Sequence, residues 1–104
     1  MPQYIFAYHG GTIPETKEAG ERAMAAWQSW FEGMGPAVVV PGNPVGMSKT
    51  VTATGVEDNG GANPLSGYTV VSAETVEDAV SMAKGCPMVA DGSGSVEVAE
   101  VIEM

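Results

Sequence analysis

One histidine stands in this chain, and its position makes it the first candidate for chemistry. His9 ends an aromatic, β-favouring run and is followed by two glycines. An imidazole exchanges protons near neutral pH, and a neighbouring carboxylate or phenol can orient the ring or donate a proton. Asp91, in an Asp-Gly segment before the last predicted strand, and Tyr8 are the candidates for that second role. The sequence therefore predicts His9, Asp91 and Tyr8 as a catalytic set for acid–base chemistry.

The same residues also have structural interpretations, which stay open at the level of sequence. A histidine at the end of a strand often bonds to the backbone, and an Asp-Gly pair is typical of a turn. Asp91 reaches His9 only if the loop before the last strand folds back onto the first strand.

Other reactive residue types give weaker signals. Cys86 precedes a proline and has no basic residue close in sequence, so a structural thiol is favoured over a nucleophile. The segments Gly60-Gly61 and Gly92–Gly94 lack the Lys-Ser/Thr ending of a phosphate-binding loop, which argues against nucleotide binding. Acidic residues near the C-terminus have no histidine among them and are interpreted as a solvated edge (Glu97, Glu100 and Glu103). We expect neither a metal nor an organic cofactor.

The composition and the sequence limit which kinds of partner and which cellular location are expected. The chain has 104 residues, with 13 acidic and 4 basic side chains and a formal net charge of −9. This length suits a single domain over residues 1–104. The acidic balance argues against a nucleic-acid partner, because phosphate recognition needs clustered lysine and arginine. No apolar run approaches the roughly 20 residues of a membrane span. Residues 1–20 carry no export or transit pattern, so a cytoplasmic location is expected.

The first third of the chain predicts a strand followed by a helix. Residues 3–9 form the strand, and a helix follows over about 15–34. Thr12 is the expected helix cap because Glu15 stands three residues later, as in a capping box. Apolar residues recur at helical spacing and predict one buried stripe (Ala23, Met24, Trp27, Trp30, Phe31 and Met34).

The remainder predicts three strands, one helix and a long insertion. Strands are expected over 37–40, 68–73 and 95–102. Between the first two of these, residues 41–67 are rich in Gly, Pro, Asn and Ser, with a short hairpin near Lys49–Thr54. Thr75, with Asp78 three residues later, predicts the cap of a short helix. The order β-α-β, insertion, β-α-β is the ferredoxin-like α+β pattern.

Three aromatic residues are candidates for contact with a ligand. Trp27 and Phe31 would line any pocket between the first helix and the sheet, and Tyr68 opens the third predicted strand. The alternative is that these side chains serve only packing.

Several stretches in this order resemble the YCII-related family. They are Ser66–Ala73 followed by Val76–Ala79, and Cys86-Pro87 followed by Gly94–Val98. The chain is similar to the branch that often carries an Asp-Gly-Pro-Phe motif. Asp58–Gly61 occupies the corresponding region without matching that motif. The resemblance implies a ferredoxin-like subunit that pairs with a second copy through sheet faces, forming a dimeric α/β barrel. It also implies an active-site cleft with a His-Asp pair.

Two functional hypotheses follow. The first is a cofactor-free enzyme of the lyase or isomerase type, acting on a small organic molecule through His9. The second is a non-catalytic homodimer that binds a small ligand or a protein through residues 41–67. The sequence leaves open whether the chain is an enzyme.

Overall fold

The structure, a computed structural model, describes residues 1–104 as six strands and three helices. The strands are β1 (Gln3–Gly10), β2 (Val38–Val40), β3 (Thr50–Thr52), β4 (Gly55–Glu57), β5 (Leu65–Ser72) and β6 (Gly94–Glu100). The helices are α1 (Lys17–Met34), α2 (Val76–Ala83) and the single turn α3 (Pro87–Ala90), and a short 3₁₀ turn follows α1. The sequence did not predict α3.

Four strands form one antiparallel sheet in the order β2-β5-β1-β6. This is the ferredoxin-like arrangement, and the predicted fold class is confirmed. The first strand lies inside the sheet, between the two long strands from the second half of the chain. Strands β3 and β4 form a separate two-stranded ribbon within the predicted insertion.

Alternation along β1 gives the sheet two different faces. Tyr4, Phe6 and Tyr8 are buried on the face that the helices cover, while Ile5, Ala7 and His9 are half-buried on the other, which we call the open face. The buried core lies between the sheet and the helices and includes residues from β5, α2 and the turn before α3 (Val71, Ala73, Ala79, Ala83 and Cys86). The helices therefore seal one face only.

Both α1 and α2 begin at a threonine cap. The cap of α2 is the predicted residue, and the cap of α1 is a different one. The Thr75 hydroxyl accepts from the Asp78 N–H at 3.1 Å, which confirms the cap of α2. The predicted Thr12 cap is wrong, since α1 begins at Lys17 and the Thr16 hydroxyl accepts from the Ala19 N–H at 3.0 Å. The later start leaves enough chain to cross from the end of β1 onto the helix-covered face.

The apolar stripe of α1 is only partly buried. Trp27, Trp30 and Met34 pack against the core, and the Trp30 indole N–H donates to the Met82 carbonyl at 2.9 Å. Met24, which the spacing placed in the stripe, is 74% exposed, so that prediction is wrong. It lies outside the arc of the helix that the sheet can reach.

The insertion is tied to the sheet at both ends. The Tyr68 N–H donates to the Asn43 carbonyl, and the Val45 N–H donates to the Ser66 carbonyl. These bonds hold residues 43–45 beside β5, whereas the β3–β4 ribbon is exposed along most of its length. None of the helices combines the length and the apolar content that crossing a bilayer requires.

Candidate functional site

His9 lies at the end of β1 on the open face, where its ring contacts three acceptors. Its side chain is only 13% exposed. The Nε2 atom lies 3.0 Å from the Oε1 atom of Glu97, and the Nδ1 atom lies 2.9 Å from the Asn63 carbonyl oxygen and 3.2 Å from that of Pro64. The insertion and the edge strand β6 therefore fix the ring from opposite sides.

The two ring nitrogens face different kinds of acceptor. Carbonyl and carboxylate oxygens can only accept, so in this geometry Nδ1 donates to the Asn63 carbonyl and Nε2 donates to Glu97. Of the two nitrogens, only Nε2 faces a side chain rather than the backbone. It faces a carboxylate that is 69% exposed and therefore free to change rotamer.

The register of the sheet explains the pairing of His9 with Glu97. Ala7 is the direct partner of Glu97 on β6, and His9 is the direct partner of Ser95. His9 and Glu97 are thus diagonal neighbours on one face, a distance that long side chains span. Sequence reasoning placed Glu97 on a solvated edge, because the partner of β1 cannot be identified before the strand order is known.

Strand β5 supplies two further polar residues, Ser66 and Tyr68, opposite the end of β1 that carries His9. Ala7 pairs with Tyr68 on this side, so Tyr68 and Glu97 flank Ala7 across the open face. The register shifts between Tyr8 and His9, leaving Ser66 as the extra residue of a β-bulge. The Ser66 hydroxyl is buried without a hydrogen-bond partner. We refer to His9, Ser66, Tyr68 and Glu97 as the open-face cluster.

Tyr8 lies on the opposite, helix-covered face. Its hydroxyl donates to the Thr69 hydroxyl at 2.6 Å, which in turn donates to the Pro41 carbonyl at 2.8 Å. Burial raises the pKa of Tyr8 far above its ordinary value, so the phenol stays protonated. The Tyr8 hydroxyl therefore does not lie near the Nε2 atom of His9.

Asp91 also lies apart from His9. Its Oδ1 atom accepts the Ser93 backbone N–H at 2.8 Å. Hydrogen bonds from the Ser93 hydroxyl and N–H lower the pKa of Asp91, which is therefore ionised at neutral pH. Asp91 makes no ion pair or hydrogen bond with His9, whose carboxylate partner is Glu97. The structure thus separates the three residues predicted as one catalytic set.

Trp27 and Phe31 lie on α1, away from the open face. The Trp27 ring meets the edge of Tyr8 at a centroid distance of 5.2 Å, and the Phe31 ring packs against Trp27 at 6.2 Å. Only Tyr68, among the three predicted ligand-binding aromatics, lies on the open face, where it is the β5 partner of Ala7.

The thiol and carboxylates do not assemble a metal site. No group of three or more His, Cys, Asp or Glu residues is placed to hold a metal ion. Cys86 is fully buried before α3, and burial raises the pKa of its thiol. A neutral, enclosed thiol fits the structural role that the sequence favoured.

Comparison with known proteins adds one solved structure. No protein-family model matches this chain, and no curated protein matches it. The fold is similar to that of 5-chloro-2-hydroxyhydroquinone dehydrochlorinase from Burkholderia phenoliruptrix, solved in complex with 2,5-dihydroxybenzoquinone. The TM-score is 0.60 at 17% sequence identity, and the match covers 100% of this chain and 96% of that enzyme. The chain therefore shares the fold of an enzyme of its own length.

Proposed function

We propose that this protein is a YCII-related, homodimeric enzyme that catalyses cofactor-free proton transfer on a small hydroxylated organic molecule. The observation that carries the proposal is the fixed His9 ring, with Nδ1 donating to the Asn63 carbonyl and Nε2 at 3.0 Å from Glu97. An oriented imidazole beside a carboxylate is the arrangement that general acid–base catalysis needs.

His9 and Glu97 divide the work in this proposal. The Nδ1 bond holds the ring. Glu97 moves aside as substrate approaches, and the unprotonated Nε2 atom takes a proton from a substrate O–H or C–H group. Glu97 then returns to accept from the imidazolium that results. Tyr68, which lies on the same face of the sheet, supplies a ring surface for the substrate. The anion that remains expels its leaving group with the bonding electron pair, and the imidazolium then releases its proton to solvent, so the net reaction is loss of the acid of the leaving group.

The likeness to the dehydrochlorinase supports a ring substrate. That enzyme is named for a chlorinated hydroxyhydroquinone and was solved with a dihydroxybenzoquinone. Hydroxylated aromatic rings suit the open-face cluster, because a phenolic O–H offers an ionisable proton and the Tyr68 ring offers a stacking surface. We therefore expect phenols or hydroquinones as the substrate class.

The open face supports the homodimer. One face of the sheet carries the helices, and the other presents aliphatic side chains from three strands, including Ile5, Val40 and Val70. Val40 is 42% exposed at the edge of this face. A sheet needs a second layer on its apolar face, and a second copy related by a two-fold axis supplies one. Pairing through this face would enclose the open-face cluster.

We expect the protein to have the mass of two chains in solution. The substitution Val70→Lys should shift it toward one chain, because a lysine on β5 would place an unpaired charge at the centre of the interface. Gln28→Lys on exposed α1 adds the same charge elsewhere and should leave the dimer intact. Light scattering after size exclusion measures both. A monomeric wild-type chain at micromolar concentration would refute the homodimer.

The acid–base role is tested by His9→Asn, assayed with 5-chloro-2-hydroxyhydroquinone and followed by chloride release. The asparagine amide still donates toward the Asn63 carbonyl, so the insertion stays attached while Nε2 is lost. We expect activity to fall about 10²- to 10⁴-fold, the usual contribution of a general acid or base. Glu97→Gln should lower activity about tenfold by weakening stabilisation of the imidazolium.

Glu100→Gln is the matched control for Glu97→Gln. It removes one carboxylate from the same exposed strand without touching His9, and it should leave turnover unchanged. Full activity in His9→Asn would exclude the imidazole from the mechanism. Binding of hydroxylated rings without turnover of any would favour the alternative, a non-catalytic ligand-binding dimer.

One observation favours a protein-binding form of that alternative. The β3–β4 ribbon exposes two valines, Val51 at 75% and Val56 at 62%, on a segment that pairs only with itself. Such a ribbon offers apolar side chains to a partner.

A further inference from the structure

A second candidate site lies on the helix-covered side of the sheet, between α1 and α3. It is a cleft of about 510 Å³, within the roughly 300–1,000 Å³ of typical small-molecule sites. The loop after β1 forms one wall through Gly11, Thr12 and Pro14. None of the open-face cluster residues lines it.

The cleft presents opposite charges with an apolar surface between them. Arg22 from α1 lines it and has no carboxylate partner, since the two ion pairs of the structure are His9–Glu97 and Lys49–Asp58. Asp91 lies at the end of α3. Ser93 donates to this carboxylate through its N–H and its hydroxyl, and the two oxygens keep further lone pairs that can accept from a ligand.

The surface between these charges suits a flat ring. Alanines line the cleft at Ala19, Ala23 and Ala26, where a larger side chain would fill the space. The Trp27 indole and the Met88 thioether supply an apolar, polarizable floor. The cleft thus combines a cation (Arg22), a hydrogen-bond acceptor (Asp91) and an apolar surface between them.

We propose that this cleft binds a small aromatic carboxylic acid that carries a ring hydroxyl. The Arg22 guanidinium pairs with the ligand carboxylate, for which its planar donor geometry is suited. The ring lies on the alanines and Trp27, and the hydroxyl donates to Asp91. This site is additional to the acid–base function proposed at His9, and it performs no covalent step.

The test is a titration of the full chain with 4-hydroxybenzoate, followed by amide NMR shifts and by calorimetry. We expect saturable shifts at Ala23, Trp27 and Ser93. Arg22→Gln should weaken binding about tenfold or more through loss of the charge-assisted pair. Lys17→Gln removes the same charge from the same helix outside the cleft and should leave the affinity within about twofold.

The hydroxyl contact is tested with benzoate, which lacks that group. We expect benzoate to bind the wild-type protein about fivefold more weakly than 4-hydroxybenzoate does. This preference should shrink in Asp91→Asn, because the amide keeps the Ser93 bond but replaces a charged acceptor with a neutral group. His9→Asn should leave 4-hydroxybenzoate binding unchanged whether or not it abolishes turnover. Absence of saturable shifts, equal affinities of the Arg22 and Lys17 variants, or loss of binding in His9→Asn would overturn the proposal.

Discussion

Gly42→Ala is expected to destabilise the protein by about 3 kcal/mol or more, the largest loss expected from adding a Cβ atom at any glycine of the chain. Gly42 has a φ of +73°, and a Cβ atom there would lie 1.8 Å from the Tyr68 carbonyl oxygen. A left-handed backbone costs an L-residue about 1–2 kcal/mol, and overpacking adds about 1–3 kcal/mol. The oxygen belongs to β5, so relief requires the strand itself to shift. Urea unfolding measured by circular dichroism would report the loss.

Gly46→Ala is the matched control for this prediction. Gly46 lies four residues further along the same insertion, with an ordinary φ and no atom within 4 Å of the position that an added Cβ would take. We expect its free energy of unfolding to stay within about 0.5 kcal/mol of the wild-type value. A loss below about 1 kcal/mol in Gly42→Ala would mean that the 41–44 segment does not pack against β5 in solution.

The second large effect is expected at Thr69, the fully buried hydroxyl in the middle of the Tyr8–Thr69–Pro41 chain. Thr69→Val keeps the side-chain shape but removes both hydrogen bonds, leaving a buried phenol O–H without an acceptor. We expect a loss of about 2–3 kcal/mol, because an unsatisfied buried polar group costs about 1–3 kcal/mol. Tyr8→Phe should cost only about 1 kcal/mol, since Thr69 then keeps its bond to Pro41.

The double variant separates this explanation from simple loss of packing. In the double variant Tyr8 is already Phe, so Thr69→Val leaves no phenol hydroxyl without an acceptor. The double variant should therefore lose less unfolding free energy than the two single variants lose in sum. Denaturant titrations of the four proteins provide the cycle. Strictly additive losses would indicate that the two hydroxyls do not interact.

The sequence was most informative where local chemistry decides structure. The cap of α2 at Thr75 follows from a hydroxyl three residues before the N–H that it accepts from, and the structure forms that bond. The faces of β1 follow from strict alternation. The same reasoning was wrong at α1, where it predicted Thr12 and the structure caps the helix with Thr16, four residues later.

The candidate site was harder to predict because its partners are distant in the chain. His9 stood out by residue type alone. Glu97 became its partner only through the pairing of β1 with β6 and a diagonal register. Asp91 was predicted to meet His9 if the loop before the last strand folded back, but its carboxylate bonds to Ser93 within the turn. A one-residue change of register would have moved Glu97 to the other face.

The position of β1 within the sheet has a consequence for how the chain folds. Strand β1 precedes the other strands of the sheet in the sequence, yet it lies between β5 and β6, which both come after residue 64. His9 and Glu97 are separated by 88 positions, and Tyr8 and Thr69 by 61. Folding that depends on such long-range pairing is slower than the folding of helical domains of equal size. During translation β1 stays unpaired while α1 forms, because both of its neighbours in the sheet are synthesised later.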